Sequence, residues 1–374
     1  MRKSLLFALA LVVAFMTGSL IGNAQSYSSS VALPGITSAT TYNSIPDGFD
    51  PVAATVSELE EFGFPRRPDP SDAKAYSNWL RAVSVTRITP ELVVKPGRYH
   101  SPNHVLSTTA STQSNTTNVS SGNWSGWSLV GGSPVFTEVV GLWVVPSVNN
   151  QFSTINGYMS EWVGIDGNCK CNDLIQDGTE QQWTGGKASY YAWIEFIPEA
   201  EVQIPNFPVA PGDVIYAYSA VGTKNGKING LYYLANFNTR KAVSASLAIP
   251  PKTAFSGQSA EWIVERTEVN GNFNNPLPFY ADAFMSDAYA YRNGSNTRIT
   301  YASEANQNIV MKQGSTSLSE AVAQDADSMW FEWLAYLDQA LLPICQRMMA
   351  TPGTQRYFDC KKAIPACRRD GLFL

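Results

Sequence analysis

Residues 260 to 265 read Ala-Glu-Trp-Ile-Val-Glu, and this alternation of large apolar and acidic side chains decides the fold class. Successive side chains of a β-strand point to opposite faces, so Trp262 and Val264 share one face while Glu261 and Glu265 share the other. The pattern predicts a strand that packs against a core on one side. It leaves open whether the two glutamates form a site or only face solvent.

Similar runs of β-branched and aromatic residues, separated by Gly, Pro and Asn, recur downstream of Asn123. The predicted strands cover residues 135–145, 190–196, 214–220, 231–237, 242–249, 261–266, 281–291, 297–302 and 329–333. Short strands punctuated in this way are typical of antiparallel sandwiches and barrels. We therefore expect an all-β domain.

The composition of the 374 residues supports this class and excludes several functions. Charged residues make up 15% of the chain, against about a quarter in ordinary globular proteins. The net charge of -5 argues against a nucleic-acid partner, because such proteins present basic patches. Low charge density also limits self-repulsion when carboxylates protonate, which fits a protein that tolerates acid.

The first 24 residues have the parts of an export signal. Arg2 and Lys3 form a basic start, an apolar run covers residues 5–15, and small residues precede a predicted cut after Ala24. A membrane anchor is the alternative, but the run is shorter than the ~20 residues that span a bilayer. The sequence predicts a secreted monomer with no membrane attachment once the signal is removed.

Residues 25–118 differ from the rest of the chain and are predicted to be a pro-segment and linker. A short helix is predicted from Ser71 to Ala82, with Ser71 as its cap, and a Ser/Thr/Asn run over 107–121 indicates a flexible linker. An ordinary small N-terminal domain is the alternative. The complete predicted division is a signal at 1–24, a pro-segment and linker at 25–118, a β-sandwich at 119–334 and a helical, cysteine-bearing tail at 335–374.

An odd number of cysteines leaves at least one unpaired in a monomer. They are Cys169, Cys171, Cys345, Cys360 and Cys367. Cys360 and Cys367 can form a local pair, whereas a single residue separates Cys169 from Cys171, and we expect that spacing to strain a direct bridge. Because no histidine is near the Cys-x-Cys pair in the sequence, we predict no metal site, and no cofactor motif is found.

Histidine occurs only at His100 and His104, both inside the predicted pro-segment. Once that segment is removed, Ser-His-Asp, Cys-His and His-ligated zinc chemistry are excluded. Acid–base work then falls to carboxylates, which act as bases near their own pKa of about 4. An exported hydrolase of this kind should work at acid pH. The candidate carboxylates in β-rich segments are Asp166, Glu195, Glu261 and Glu265.

Seven short segments carry a more specific signal. In chain order they are Asn123-Trp-Ser-Gly, Glu161-Trp-Val-Gly-Ile-Asp-Gly, Leu174-Ile-Gln-Asp-Gly, Tyr190-Tyr-Ala-Trp-Ile-Glu-Phe-Ile-Pro, Pro211-Gly-Asp-Val-Ile, Ala260-Glu-Trp-Ile-Val-Glu and Pro278-Phe279. Their order and spacing over residues 123–333 resemble those of the eqolisins, the glutamic peptidases. One such motif would be a weak signal, whereas the ordered set is specific.

The resemblance implies a concanavalin-like sandwich of two antiparallel sheets, with substrate in the groove of one sheet. It implies that Glu265 is the general base, which takes a proton from water and returns it to the leaving amine. It implies that Gln176 positions this water and donates its amide N–H to the developing oxyanion. The predicted function is a secreted, pepstatin-insensitive acid endopeptidase that acts on proteins or peptides.

The resemblance also implies supporting residues in and around the groove. These are Trp124, Trp162, Asp166, Glu195 and Glu261. Core packing is the alternative role for each tryptophan, and capping of backbone amides in a turn is the alternative for Asp166. The chain departs from the family pattern at Tyr191, where the family has Asp, and it lacks the cysteine usually found shortly before Ala260. These departures affect subsite preference and the family disulfide.

Two other functions suit a β-sandwich with a groove. A carbohydrate-binding module would not require Gln176 and Glu265 to converge on one point. A glycosidase would use two carboxylates, such as Glu195 and Glu265, about 5 to 10 Å apart, and would have no use for Gln176.

Overall fold

A computed structural model describes residues 27–111, 115–149, 156–224, 226–281 and 283–334. The predicted signal at 1–24 and the predicted helical tail at 335–374, with Cys345, Cys360 and Cys367, lie outside these residues. Two helices occur in the described ranges, α1 Val56–Glu61 and α2 Ala73–Val83. Neither has the length and apolar character needed to cross a membrane.

All other regular elements of the described residues are strands. The first twelve are β1 Ser28–Val31, β2 Ala39–Tyr42, β3 Thr86–Arg87, β4 Val93–Val94, β5 Arg98–Tyr99, β6 Val105–Ala110, β7 Thr116–Ser121, β8 Trp124–Val130, β9 Phe136–Val144, β10 Val148–Asn149, β11 Gly157–Asp166 and β12 Leu174–Thr184. The remainder are β13 Lys187–Ile197, β14 Val202–Ile204, β15 Val214–Lys224, β16 Lys227–Asn236, β17 Lys241–Ala248, β18 Ser259–Glu265, β19 Glu268–Val269, β20 Phe279–Tyr280, β21 Ala283–Arg292, β22 Ile299–Thr300, β23 Asn306–Gln313, β24 Thr316–Ala323 and β25 Met329–Trp333.

Most strands belong to two stacked layers that hydrogen bonds join into one sheet of 21 strands. The front layer has the order β4-β14-β13-β12-β11-β18-β8-β23. The back layer has the order β21-β9-β15-β16-β17-β2-β1. Strands β24 and β25 connect β23 to β21 along one side. The predicted all-β sandwich is confirmed.

The apolar core lies between the layers because alternate residues of each strand point inward. Trp262 and Val264 of β18 are buried there together with Trp143 of β9. Trp262 Nε1 also donates a hydrogen bond to Val140 O across the layers, at 2.7 Å. The alternation that predicted β18 is therefore correct. Its two glutamates lie on the other face, where both are buried and not solvated.

The chain before the front layer packs against the outer face of the back layer. Leu59, Phe64 and Trp79 form an apolar cluster with Tyr216 and Tyr233 of β15 and β16. Helix α2 is capped by Asp72, whose carboxylate accepts the Ala75 N–H at 3.3 Å. The cap is therefore Asp72 and not the predicted Ser71, one residue earlier.

Three local features of the described residues add to or modify the expectations. Within the run at 107–121, β6 and β7 form an antiparallel pair, because its many Thr residues favour extended structure and Val119 is buried. The strand predicted at 297–302 shortens to β22. Cys169 and Cys171 form a direct disulfide at the bend after β11, with their Cα atoms 5.2 Å apart.

Candidate active site

Three adjacent strands of the front layer place the predicted catalytic pair on one face. Gln176 of β12 lies opposite Gly164 of β11, and Glu265 of β18 lies opposite Ser160 of β11. Directly opposed residues in a sheet point to the same side. Both side chains therefore point away from the apolar core, into a groove on the outer face of the front layer.

Tryptophans line this groove, and a glycine gives them room. Trp162 of β11 and Trp193 of β13 both lie opposite Gly178 of β12. A Cβ atom at Gly178 would come within 2.6 Å of Trp162 Cβ and 2.4 Å of the Glu161 carbonyl oxygen. The absence of a side chain at Gly178 is therefore what lets the rings occupy the middle of the groove.

Residues 95–104, here called the covering segment, run through the groove. Strand β5 of this segment pairs with β19, and farther along Asn103 N–H donates to Gly167 O at 3.0 Å. Arg98 binds Glu180 at 3.2 Å at one end, and His104 N–H donates to Asn123 Oδ1 at 2.9 Å at the other. With the segment in place, the side chains of Gln176, Glu195 and Glu265 have no exposed surface.

The amide of Gln176 is held against a backbone carbonyl. Its Nε2 donates to His100 O at 2.7 Å and to Glu195 Oε2 at 2.7 Å. Glu195 Oε2 also accepts the His100 N–H at 2.9 Å. Gln176 Oε1 is buried and has no hydrogen-bond partner in the described part of the chain, so it is available as an acceptor.

The carboxylate of Glu265 lies on the other side of His100. It accepts hydrogen bonds from Trp162 Nε1 at 2.9 Å and from Asn123 Nδ2 at 3.2 Å, and its Oε2 is 3.6 Å from His100 Nδ1. Burial raises the pKa of Glu265 above its ordinary value, and the nearby His100 imidazole and the hydrogen bonds from Trp162 and Asn123 offset only part of this rise. Opposed effects of this kind keep a buried carboxylate able to ionise.

The His100 imidazole is enclosed by acidic and aromatic groups. Its Nδ1 lies 3.0 Å from Ser160 Oγ, its Nε2 lies 3.0 Å from Glu201 Oε2, and its ring stacks on Trp193 with centroids 3.4 Å apart. Burial alone would lower the pKa of His100, but the hydrogen bonds to Glu201 and Glu265 raise it to about 10. The predicted exclusion of histidine chemistry therefore applies only to the chain without its covering segment.

Four of the predicted supporting residues also lie on this face. Trp124 and Trp162 meet edge to face at 4.8 Å, and Trp124 Nε1 donates to Ser101 O at 2.9 Å. Burial raises the pKa of Glu195 to about 8. Glu261 lies opposite Gly164 and accepts a hydrogen bond from Ser128 at 3.2 Å, and burial raises its pKa well above the usual range.

Asp166 holds the turn that leads into β18. Its Oδ1 and Oδ2 accept the backbone N–H groups of Gln258 and Gly257, each at 2.6 Å. Burial raises the pKa of Asp166 to about 7, and nearby Asp173 adds to the effect. Asp166 therefore caps a turn, as in the alternative predicted for it, and this cap positions the strand that carries Glu265.

Asp166 also clusters with Cys169 and Cys171, but the disulfide leaves those sulfurs unavailable as thiolate metal ligands.

Several groove residues were not predicted from the sequence as site residues. These are Asn123, Ser160, Glu180, Trp193 and Glu201. Period-two spacing from Gln176 could have found Glu180, because both share one face of β12. Glu201 lies in the loop between β13 and β14, so no strand periodicity points to it.

Residues 122–333 match the model of the Peptidase A4 family. The chain belongs to this family. Membership confirms the predictions of a glutamic peptidase and of an enzyme that hydrolyses peptide bonds, so the carbohydrate-binding and glycosidase alternatives are set aside.

Two known proteins are similar to this chain. Aspergillopepsin-2 of Aspergillus niger is 26% identical over 223 residues, which cover 55% of this chain and 76% of that protein. Scytalidopepsin B of Scytalidium lignicola is 29% identical over 175 residues, which cover 47% of this chain and 63% of that protein.

Solved structures of Peptidase A4 proteins are similar at lower identity. Scytalido-glutamic peptidase with a transition-state analogue inhibitor matches with a TM-score of 0.48 and 22% identity, over 57% of this chain and 98% of that one. Aspergilloglutamic peptidase from Aspergillus niger matches with a TM-score of 0.41 and 24% identity, over 47% and 99% of the two chains.

Proposed function

We propose that this Peptidase A4 member is the precursor of an acid endopeptidase in which Glu265 and Gln176 are the catalytic pair. One observation carries the proposal. The Gln176 amide lies 2.7 Å from the carbonyl oxygen of His100, and the Glu265 carboxylate lies 3.6 Å from the ring of the same residue. Both groups therefore act at a single residue of an extended peptide.

Gln176 is suited to stabilise an oxyanion. An oxyanion-hole donor must be directed at the oxygen on which charge develops, and one such donor contributes roughly 10² to 10³ in kcat. Glu195 accepts a hydrogen bond from the same Nε2 and so fixes its direction. The free Oε1 of Gln176 can accept a hydrogen bond from the attacking water.

Glu265 is suited to act as general base. Ionised, it takes a proton from the water that attacks the carbonyl carbon, and it then gives that proton to the leaving nitrogen. Asn123 and Trp162 donate to its two oxygens and so fix the carboxylate in the groove. Since a carboxylate base works best near its own pKa, acid pH is the proposed working range.

We also propose that the chain is exported and processed. The apolar start of the sequence supports a signal at 1–24, and the family match over 122–333 supports a peptidase domain at 119–334. Residues 25–118 would then be the pro-segment, and 335–374 a tail. The proposed partners are protein or peptide substrates, and the mature enzyme is proposed to be monomeric and insensitive to pepstatin.

A different hydrolytic arrangement is present while the covering segment is bound. Ser160, His100 and Glu201 form a hydrogen-bonded chain with both His100 contacts at 3.0 Å. This is the order of a nucleophile, a base and an orienting acid, but the raised pKa of His100, about 10, keeps the imidazole protonated at acid pH and unable to take a proton. Removal of the covering segment would take His100 away and so abolish this arrangement. A Ser160→Ala variant tests it separately from the role of Glu265.

The test is proteolysis at about pH 4, near the ordinary pKa of a carboxyl group, by the wild type and three full-length variants. Glu265→Gln should abolish cleavage with the fold retained by circular dichroism, while Glu261→Gln and Ser160→Ala should keep measurable activity. Pepstatin should have no effect on the wild type. Normal cleavage by the Glu265→Gln protein would overturn the assignment, and loss of activity only in Ser160→Ala would favour the serine arrangement.

A further inference from the structure

The covering segment lies in the groove with its backbone held on both sides of one peptide bond, His100–Ser101. Before the bond, Glu201 N–H donates to Arg98 O at 3.2 Å, and His100 N–H donates to Glu195 at 2.9 Å. After it, Ser101 O accepts from Trp124 Nε1 at 2.9 Å and from Asn123 Nδ2 at 3.2 Å. A peptide held on both sides of one bond presents that bond to the protein group that lies between the two sets of hydrogen bonds.

That group is the Gln176 amide, which donates to the carbonyl oxygen of His100 itself. We propose that His100–Ser101 is the bond the enzyme cuts in its own precursor, and that Glu201 and Trp193 select histidine on the acyl side of the cleaved bond. The proposal rests on the catalytic roles given above to Glu265 and Gln176. It goes beyond them by naming the first substrate and the residues that recognise it.

The reaction at this bond is hydrolysis with water as the second reactant. Water oxygen bonds to the His100 carbonyl carbon while Glu265 takes one water proton. The bond from that carbon to Ser101 nitrogen then breaks, and the nitrogen receives the proton held by Glu265. The products are a carboxyl group on His100 and an amino group on Ser101, so atoms and charge balance.

The pocket around the His100 side chain matches a flat cation. Glu201 binds Nε2 from one edge, Ser160 lies at the other edge, and the Trp193 ring covers one face. All three side chains are fully buried with His100 in place. A phenylalanine could stack on Trp193 but would remove the 3.0 Å contact to Glu201 and leave this buried carboxylate with only the longer hydrogen bond from Tyr191 Oη at 3.4 Å, which is costly.

Other bonds of the predicted pro-segment and linker are presented less well. The second histidine, His104, stacks on Phe273, and its carbonyl oxygen accepts from the backbone N–H of Gly122, not from Gln176. Residues of β6 and β7, where the flexible linker was predicted, are paired as strands. Chain that is already in a sheet must be pulled out of it before it can enter the groove.

The main experiment follows the full-length precursor after a shift from neutral pH to about pH 4, near the ordinary carboxyl pKa. Intact-mass and N-terminal analysis should show that the first cut creates a chain that begins at Ser101. A first cut at His104–Val105 or within residues 107–121 would overturn the proposal.

The Glu265→Gln precursor separates this proposal from the proposed function. It should stay uncut, whereas mature wild-type enzyme should cut a free peptide of residues 95–106 at His100–Ser101. Self-cleavage of the Glu265→Gln precursor would contradict the proposed function. A Glu265-dependent cut at a different bond would leave the proposed function standing and reject only the processing site.

Recognition by Glu201 and Trp193 is tested with peptides and with the precursor. Mature enzyme should cut a peptide of residues 95–106 faster than its His100→Phe form by about tenfold in kcat/KM, the scale of one charge-assisted hydrogen bond. In the Glu201→Gln enzyme the ratio should fall toward one. If that variant does not fold, the His100→Phe precursor gives the same information, because it should process more slowly than wild type. An unchanged ratio or an unchanged processing rate would overturn the role of Glu201.

Discussion

Gln176 carries a donor whose charge does not change with pH, and Glu195 holds that donor in place. Glu195 Oε2 accepts hydrogen bonds from both the Gln176 amide and the His100 N–H, so one carboxylate orients the proposed catalytic donor and the peptide together. Glu265 differs, because its proposed function depends on ionisation and its pKa responds to burial and to three neighbours. The two members of the pair should therefore fail in different ways when they are replaced.

Replacement of Gln176 should mainly lower kcat. Gln176→Met keeps the length and shape of the side chain but removes the donor, so we expect kcat to fall by roughly 10² to 10³ with little change in KM. Steady-state kinetics of the mature enzyme on one peptide would measure both constants. Gln176→Glu is the matched charged variant, and it should be no better because its carboxylate would face Glu195. A kcat within threefold of wild type in Gln176→Met would contradict the role.

The candidate active site is positioned by strands β11, β12 and β18 and by the turn that Asp166 caps. Strand β11 lies between β12, which carries Gln176, and β18, which carries Glu265, so the register of two strand pairs sets their separation. Asp166 ends β11 with a positive φ of 76° and binds the two backbone N–H groups that precede β18. A side chain that caps this turn therefore links the end of one strand to the start of another.

Loss of the Asp166 carboxylate should weaken the fold and the site together. Asp166→Ala removes two charge-assisted hydrogen bonds and should lower the free energy of unfolding by about 3 kcal/mol. Urea unfolding would measure this value, and kcat/KM would report the displacement of β18. Asp166→Asn is the matched control, since it keeps one acceptor and tolerates positive φ. If Asp166→Ala unfolds at the same urea concentration as wild type, the turn does not depend on this carboxylate.

In the whole molecule, one continuous N-terminal stretch touches both layers of the sandwich. Residues around α1 and α2 pack on the back layer, β4 joins the edge strand β14 of the front layer, and the covering segment then enters the groove. His100 there faces Glu201 from the β13–β14 loop, Glu195 from β13, Glu265 from β18 and Ser160 from β11. Closure of the groove by the covering segment is therefore coupled to protonation of His100.

The uncut precursor should lose stability as pH rises above neutrality. The pKa of His100 is raised from 6.5 to about 10, so its contribution is complete below pH 6.5 and is lost as pH rises toward 10. Burial raises the pKa values of Glu195 and Glu180 to about 8, which gives losses of the same sign between their ordinary pKa and pH 8. Chemical unfolding from pH 6 to 10 should show a fall of a few kcal/mol.

His100→Asn is the variant that isolates this effect. Asparagine does not titrate, so the fall between pH 6.5 and 10 should become smaller, with only the carboxylate part left. Mass spectrometry should verify that both precursors remain uncut. Equal pH dependence of the two proteins would show that His100 does not couple the groove to pH.

The sequence predicted the strand type and the face of β18 because side-chain alternation is a local property. Exclusion of histidine left four carboxylates, and only the motif resemblance chose Glu265 among them and singled out Gln176. Local patterns were less reliable at the ends of elements and in turns. The cap of α2 is Asp72 and not the predicted Ser71, and Cys169 pairs with Cys171. These details depend on a single side chain or bend, which periodicity does not record.

By itself, the sequence determined the all-β class, the family and the candidate pair Gln176 and Glu265, because alternation and ordered motifs are written along the chain. Tertiary structure decided that Glu201, Ser160 and His100 meet at this pair. These residues come from a loop, a strand and an N-terminal segment whose common position depends on strand register and on the path of the chain. Contacts between residues far apart in sequence leave no periodic signal, so only the folded chain brings His100 to Gln176.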